Sequence, residues 1–337
     1  MTSVETGGAV RRRKLLTANT FWIALVLVAL IAVFSALAPE AFPTVFNFQR
    51  LAIETAVLLV LAVGMTFVII TGGIDLSVGS VLIFAGMVSA KTMNALSGGS
   101  AIDAGWGVIV AGLVAAVLGG LVWGFVNGVL IAHAKVPPLI VTLGSFGAAL
   151  GAASLLGDGS DIRTIPTTLK RALGSGTSFG GIPNLVLTAA VITLVAAWLL
   201  HTTRFGRYTF AVGSSQEAAR RAGIRVTAHL LKVYLLTGLL AGAAGFMSLA
   251  YYSTTGIAAH STDNLNAIAA VVMGGTSLFG GVGTMLGTVI GVFIPAVLKK
   301  GFNIVHVQDY WQMIAVGAVL VAAVWFDQQR RRARDRL

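Results

Sequence analysis

Apolar stretches long enough to cross a membrane recur along the whole chain, separated by charged residues, prolines or glycine clusters. A helix of about 20 apolar residues spans the hydrocarbon core and satisfies its own backbone hydrogen bonds. Only 10% of the 337 residues are charged, whereas soluble domains contain about a quarter of charged residues. The sequence therefore predicts an all-α integral membrane protein.

We predict about ten transmembrane helices, some of them broken or re-entrant. They lie at 21–38, 52–71, 75–90, 107–132, 136–156, 185–202, 231–252, 265–280, 282–298 and 312–326. Only glycine-rich stretches separate the second from the third and the eighth from the ninth. Either pair could therefore be a broken helix or a re-entrant hairpin.

The positive charges orient these spans. Most of the 23 Lys and Arg residues fall on one side, which is the cytoplasmic side by the positive-inside rule. We therefore predict that both termini are cytoplasmic, with a basic N-terminal tail at 1–20 and a basic C-terminal tail at 327–337. The segment 157–184 is then an external loop, and the basic segment 203–230 is a cytoplasmic one.

The positive charge has other readings, which we consider weaker. A net charge of +11 could suggest nucleic-acid binding, but the basic residues flank apolar runs, so we expect no nucleic-acid partner. The run 11–14 followed by 21–38 imitates a signal peptide. Its apolar part exceeds a typical signal core, and Pro39 would be the first mature residue, so we expect it to be retained as the first span.

Asp75 is the one acidic residue that does not fall in a predicted loop, terminus or span end. It lies in GGIDLSVGS (72–80), where a carboxylate costs about 2.5 to 3.5 kcal/mol and usually faces a cavity or a partner. Gly72, Gly73 and Gly79 relax the helix there, and Ser77 can bond freed backbone groups. Asp75 could also cap a helix that starts at Leu76, and the two roles are compatible.

A second glycine-rich break, GGTSLFGGVGT (274–284), shares the order of Gly-Gly, Leu and Val-Gly-Ser/Thr with the first. Related breaks are typical of transporters with internal repeats, although chance explains the similarity about as well. Gly274 and Gly275 begin this break. Asn127 and Asn266 are polar candidates within spans, while Thr142 and Ser145 are expected to bond their own helix backbones.

The inner segment GSSQEAARRAGI (213–224) predicts a short cytosolic helix. Ser214 and Glu217 have capping-box spacing, Ala218 and Ala219 favour helix, and Gly223 stands where a C-cap glycine would. With Arg220 they form a candidate docking helix, although a plain positive-inside loop accounts for the pattern equally well.

The sequence lacks the residue patterns that several kinds of functional site require. There is no cysteine, which excludes disulfides and thiolate metal sites. No Gly-Lys dipeptide exists for a phosphate-binding loop. The five His residues lie apart with no i, i+4 pair, so no metal site is predicted. We find no catalytic arrangement for a membrane enzyme.

Four ordered segments resemble the ribose, xylose and galactose class of bacterial ABC sugar-importer permeases. They are VGMTFVIITGGIDLSVGS (63–80), HTTRFGRYTFAVGSSQEAARRAGI (201–224), LNAIAAVVMGGTSLFGGVGTMLGTVIG (265–291) and DYWQMI (309–314). The resemblance runs nearly end to end and identifies 21–326 as a single polytopic permease domain.

This resemblance implies a multi-pass protein of the bacterial cytoplasmic membrane that carries a monosaccharide. It implies a cytosolic ABC ATPase that binds the ATP and Mg, an external sugar-binding protein and a second permease subunit. It further implies that the helix around Glu217 couples to the ATPase and that 72–80 borders the translocation path. The alternative function is an ion-coupled secondary transporter that uses Asp75.

Overall fold

The computed structural model describes residues 19–260, 262–308, 310, 311, 314, 317 and 318. The twelve α-helices of this part of the chain are α1 (Asn19–Leu37), α2 (Val45–Ile70), α3 (Val78–Leu96), α4 (Trp106–Ala132), α5 (Pro138–Leu156), α6 (Thr167–Leu169), α7 (Asn184–Thr202), α8 (Arg204–Ser214), α9 (Gln216–Arg221), α10 (Val226–Tyr252), α11 (Asp263–Met273) and α12 (Met285–Ile304). A π-helical turn (Lys170–Gly174) continues α6, and Thr177–Ser178 (β1) pairs antiparallel with Ile182–Pro183 (β2).

Eight of the described helices are long and apolar enough to cross a membrane, namely α1 to α5, α7, α10 and α12. They confirm the all-α membrane fold. The tenth predicted span, 312–326, falls almost wholly outside the described residues, as do the two predicted tails. The count of ten spans and the cytoplasmic placement of the termini therefore stay predictions.

The predicted eighth span at 265–280 is wrong as a continuous crossing. Its helix, α11, has 11 residues and is about 16 Å long, half the thickness of the hydrocarbon core. The chain leaves the helix at Gly274, and Gly275, Gly280 and Gly281 have positive φ. The alternative of a broken helix describes this pair of spans.

The first break also differs from the predicted spans. The second predicted span, 52–71, lies in the longer helix α2 up to Ile70, and the third begins at Val78 rather than at residue 75. Between them, 71–77 is not helical, and Gly72 turns the chain with φ +80°. This break carries Asp75 into the protein interior.

Helices α2 and α10 form the buried centre of the molecule. Glycines allow α10 to approach its neighbours closely, since a Cβ on Gly120 of α4 would overlap the carbonyl oxygen of Gly238, and one on Gly242 would lie 2.5 Å from that of Ala116. Rows of small residues serve such contacts in membranes. They fix α4 against α10, and both helices contribute to the cleft described below.

The segment 157–184, which is predicted to be external, packs back onto α10 and the chain that follows it. The Asp161 carboxylate accepts hydrogen bonds from the Ile257 amide at 2.8 Å and from the Thr255 hydroxyl at 3.1 Å. Leu169 is fully buried, and a Cβ on Gly174 would overlap the Ala250 carbonyl. These contacts with the end of α10 and the residues after it hold the segment in a defined conformation.

Candidate functional site

Asp75 lies in a narrow cleft at the centre of the helical bundle. The lining residues come from the first break, α3, α4 and α10, and are Asp75, Ser77, Val78, Val81, Gly124, Asn127, Thr237, Gly238 and Ala241. Residues 237–241 bracket the midpoint of the 27-residue helix α10. Asp75 therefore lies level with the middle of α10, in a cleft that has no room for a water molecule in this conformation.

A chain of hydrogen bonds connects Asp75 to α5. The amide and hydroxyl of Ser77 both donate to Asp75 Oδ1, at 2.8 and 2.6 Å. Asn127 Nδ2 donates to Ser77 Oγ at 2.9 Å, and Ser145 Oγ donates to Asn127 Oδ1 at 2.5 Å. All four side chains are buried. The sequence-predicted residues Asp75, Ser77 and Asn127 thus meet in one polar network.

Of the two sequence-based expectations for helix α5, the one for Ser145 is wrong and the one for Thr142 is confirmed. Ser145 bonds across to Asn127 instead of bonding its own helix backbone. Thr142 bonds the Pro138 carbonyl of its own helix at 2.9 Å, as expected, but also reaches the Ile74 carbonyl in the first break at 3.3 Å. Helix α5 therefore contacts the break directly through Thr142, and indirectly through Ser145 and Asn127.

Asp75 does not cap a helix that starts at Leu76. Helix α3 begins at Val78 after Ser77, and the Asp75 carboxylate bonds the residue two positions ahead, which is an Asx-turn. Among the described residues, no Lys, Arg or His forms an ion pair with it. The carboxyl group is stabilised by local hydrogen bonds alone.

The glycines of the first break permit close contacts. A Cβ on Gly73 would lie 2.7 Å from the Tyr234 hydroxyl, and one on Gly79 would lie 2.8 Å from the His260 carbonyl oxygen. The Tyr234 hydroxyl is buried without a hydrogen-bond partner. Gly73 and Gly79 thus let α10 and the segment that precedes α11 approach the first break and the start of α3.

Asn264 is a functional candidate that sequence reasoning missed. Its Nδ2 donates to the Leu76 carbonyl at 2.9 Å, beside Asp75, and its Oδ1 is buried without a partner. The predicted residue Asn266 is exposed instead. The burial of Asn264, Ala267 and Val271 follows helical spacing, which could have indicated the buried face.

Gly274 and Gly275 do not line the cleft. A Cβ on Gly274 would overlap the Gly287 carbonyl, so this residue lets α11 pack against α12. Gly275 supplies a positive φ of 85° at the turn. The second break reaches the first at another point, where the Gly281 amide donates to the Ile70 carbonyl at 2.9 Å.

The fold assembles a Ser-His-Asp arrangement that the sequence did not indicate. His260 Nε2 lies 2.7 Å from Ser248 Oγ, and its Nδ1 lies 2.7 Å from Asp263 Oδ2. Ser248 and His260 are buried, and neither lines the cleft. The arrangement braces the segment 253–262 between α10 and α11, which places Asn264 beside the first break.

The basic segment 203–230 contains two short helices, α8 and α9, and α9 is the short helix predicted within 213–224. Ser214 ends α8 and bonds the Phe210 carbonyl, while Ser215 caps α9 by accepting from the Ala218 amide at 3.2 Å. The predicted capping register was therefore one residue early. Gly223 ends α9 as predicted, with φ +82°, a Gly223 amide bond to Arg220 and an Ile224 amide bond to Ala219.

Helix α9 exposes polar residues and buries one alanine. Ala219 packs inside a cluster with Ala132, Val212, Val226 and Leu230, so it anchors the helix to its own protein. Glu217, Ala218 and Arg220 are exposed, and Glu217 forms an ion pair with Arg221. The exposed surface of α9 is therefore charged. Of its two alanines, Ala218 is exposed and Ala219 is buried.

A helical membrane bundle with a buried carboxyl group at its centre is typical of transport proteins. Residues 47–324 match the family described as the permease component of the branched-chain amino acid transport system. The chain belongs to this family of bacterial inner-membrane permeases.

Curated relatives extend over nearly the whole chain. The ribose import permease protein of Escherichia coli K12 is 38% identical over 90% of this chain and 92% of its own length. The D-allose transport system permease protein of the same strain is 33% identical over 92% and 91%. The ribose import permease protein of Bacillus subtilis 168 is 36% identical over 84% and 85%. No solved structure matches the chain.

Proposed function

We propose that this chain is the membrane-spanning subunit of an ATP-driven importer of a monosaccharide, either a ribose-like pentose or a hexose. The observation that carries the proposal is its end-to-end similarity to permeases named for ribose and allose. The family description mentions branched-chain amino acids, but the similar full-length relatives are sugar permeases. A sugar is therefore the favoured substrate.

The polar network that begins at the cleft offers the chemical groups that suit a neutral substrate with many hydroxyl groups. Ser77, Asn127 and Ser145 offer hydroxyl and amide groups, and Asp75 offers a carboxylate acceptor. A sugar needs such hydrogen-bond partners rather than ion pairs. We propose that Gly72, Gly73, Asp75, Ser77, Gly79 and Asn127 border the translocation path, and that Asn264 replaces Asn266 in it.

Under this proposal, the chain needs partner proteins to transport the sugar. We propose that a cytosolic ABC ATPase binds ATP and Mg and contacts α9 through exposed Glu217, Ala218 and Arg220. This chain then needs no cofactor or ATPase activity of its own. A sugar-binding protein would dock on the external loop 157–184, and a second permease subunit would complete the path.

An ion-coupled transporter is the rival function, because Asp75 could bind a proton or a cation. The permease relatives do not favour it. Reconstitution separates the two functions: the native complex, purified through a tag on this chain, is placed in liposomes with radiolabelled ribose, allose, xylose or galactose. We expect uptake only with ATP and the binding protein. Uptake driven by an ion gradient without ATP would contradict the importer.

A further inference from the structure

The C-terminal end of α8 is wedged between the two glycine-rich breaks. Gly213, the penultimate residue of α8, has no space for a side chain, since a Cβ there would overlap the Ile70 carbonyl oxygen and lie 2.7 Å from the Gly281 amide nitrogen. Ile70 is the last residue of α2, and Gly281 belongs to the second break. Because these neighbours are backbone atoms, side-chain rotation cannot relieve the overlap.

A hydrogen bond closes the same junction. The Gly281 amide donates to the Ile70 carbonyl at 2.9 Å, so the end of α2 and the second break are joined directly. Gly281 and Gly72 have φ values of +74° and +80°, which favour glycine. A Cβ on Gly281 would also lie 2.7 Å from the Ser214 hydroxyl. Three segments therefore meet without intervening side chains.

This junction lies between the proposed partner surface and the cleft. Along the chain, α9 begins two residues after Ser214, and Asp75 lies five residues after Ile70. A contiguous, close-packed contact with two arrangements can carry a displacement from one site to another. An α8–α9 unit pushed by a partner would thus press on the end of α2 and on the break that holds Asp75.

The surroundings of the breaks leave room for a second arrangement. Seven buried side-chain polar atoms of the described residues have no hydrogen-bond partner, and three of them lie at the breaks: the Tyr234 hydroxyl next to Gly73, Asn264 Oδ1 beside Leu76, and Thr276 Oγ1 in the second break. Buried polar atoms are normally paired. These three unpaired atoms indicate that this arrangement of the breaks does not satisfy every polar group.

We propose that Gly213 is a positioning residue that transmits movement of α8 and α9 to the first break and so to Asp75. The inference rests on the proposed function, because it presumes that a partner ATPase moves α9. Beyond the proposed function, it identifies Gly213 as the contact through which movement of α9 reaches the translocation path. A side chain at position 213 would separate α8 from Ile70 and Gly281, so the movement would no longer reach the break.

The test replaces Gly213 in the native complex, purified through a tag on this chain and reconstituted in liposomes. Gly107→Ala is the matched control, since Gly107 lies in α4 with open space around its Cα. We expect Gly213→Ala to keep subunit composition and ATPase rate within about twofold, and to lower sugar uptake per ATP about tenfold. Uptake equal to that of the control would overturn the proposal, as would equal losses of uptake and ATPase activity.

A second measurement decides the matter even if Gly213→Ala does not assemble. Hydrogen exchange of the unmodified complex is compared with and without trapped nucleotide. We expect peptides covering 204–221, 70–77 and 279–283 to change together, because the Gly281 amide reports directly on the junction. A nucleotide-dependent change confined to 204–221 would overturn the proposal. If the unmodified complex shows no ATP-dependent uptake, the proposed function itself fails.

Discussion

Asp75 carries the strongest prediction at the residue scale. Asp75→Ala removes the acceptor for the amide and hydroxyl of Ser77, so a buried donor loses its partner at a cost of about 1–3 kcal/mol. Asp75→Asn keeps an acceptor oxygen and the side-chain shape. We expect both variants to assemble, with uptake reduced about tenfold or more in Asp75→Ala and less in Asp75→Asn. Thermal melting and liposome uptake measure the two effects.

The comparison between Asp75→Ala and Asp75→Asn distinguishes three roles of the carboxyl group: stabilising its own turn, supplying a charge and accepting hydrogen bonds. If Asp75→Ala transports at the wild-type rate, the carboxyl only stabilises its own turn. If the two variants lose uptake equally, the charge rather than the acceptor geometry is what transport needs, and the proposed hydrogen-bonding role for a neutral sugar is wrong.

Individual residues of the site differ in how readily the sequence reveals them. Asp75 stands out because a carboxylate in an apolar run is rare and costly. Asn264 does not, because it enters the site only when the segment 253–262 is braced by His260 and Asp263. Ser145 was misjudged for a similar reason: whether a serine bonds its own helix or a neighbour depends on what the neighbour presents.

At the element scale, the two serines before α9 test the corrected helix boundary. Ser215→Ala removes the hydroxyl that accepts from the Ala218 amide, and such a loss costs about 1 kcal/mol. Ser214→Ala removes only a bond to the preceding turn of α8. We expect faster hydrogen exchange across 216–222 in Ser215→Ala than in Ser214→Ala. The reverse order would restore the predicted capping by Ser214.

The crossing of α4 and α10 gives a second prediction at this scale. Gly120→Ala would force a methyl group into the Gly238 carbonyl, and such overpacking costs about 1–3 kcal/mol or more. Gly107→Ala in the same helix meets no neighbouring atom. We expect a lower melting temperature in detergent for Gly120→Ala alone. Equal melting of the two variants would show that this contact contributes little.

For the whole molecule, hydropathy predicted the membrane bundle and most of its helices. It could not separate α11 from the second break, because 265–280 contains no charged residue and is mostly apolar although its helix ends at Met273. Glycines with positive φ end that helix, and the contact of Gly274 with Gly287 supports the short element. Such long-range contacts between α11 and α12 are not visible in local composition.

Assembly with the ATPase is predicted to depend on the charge of α9. Glu217→Lys removes an exposed ion pair with Arg221, and such helix pairs contribute only about 0.3–0.5 kcal/mol. The isolated permease should therefore melt as the wild type does. We expect the variant complex to lose its ATPase on purification or its sugar-stimulated activity. Intact composition and full stimulation would show that α9 is not the coupling helix.

The orientation of the molecule can be tested because the sequence contains no cysteine. Phe179, 85% exposed, lies in the turn between β1 and β2, and Ala218 is exposed on α9; the membrane helix α7 separates them. We expect an impermeant maleimide to label Phe179→Cys in intact cells, and Ala218→Cys only in inverted vesicles, because basic segments stay inside. Unaltered protein should not be labelled. Exchanged sides would reverse the predicted orientation, and labelling of both variants from one side would mean that α7 does not cross the membrane.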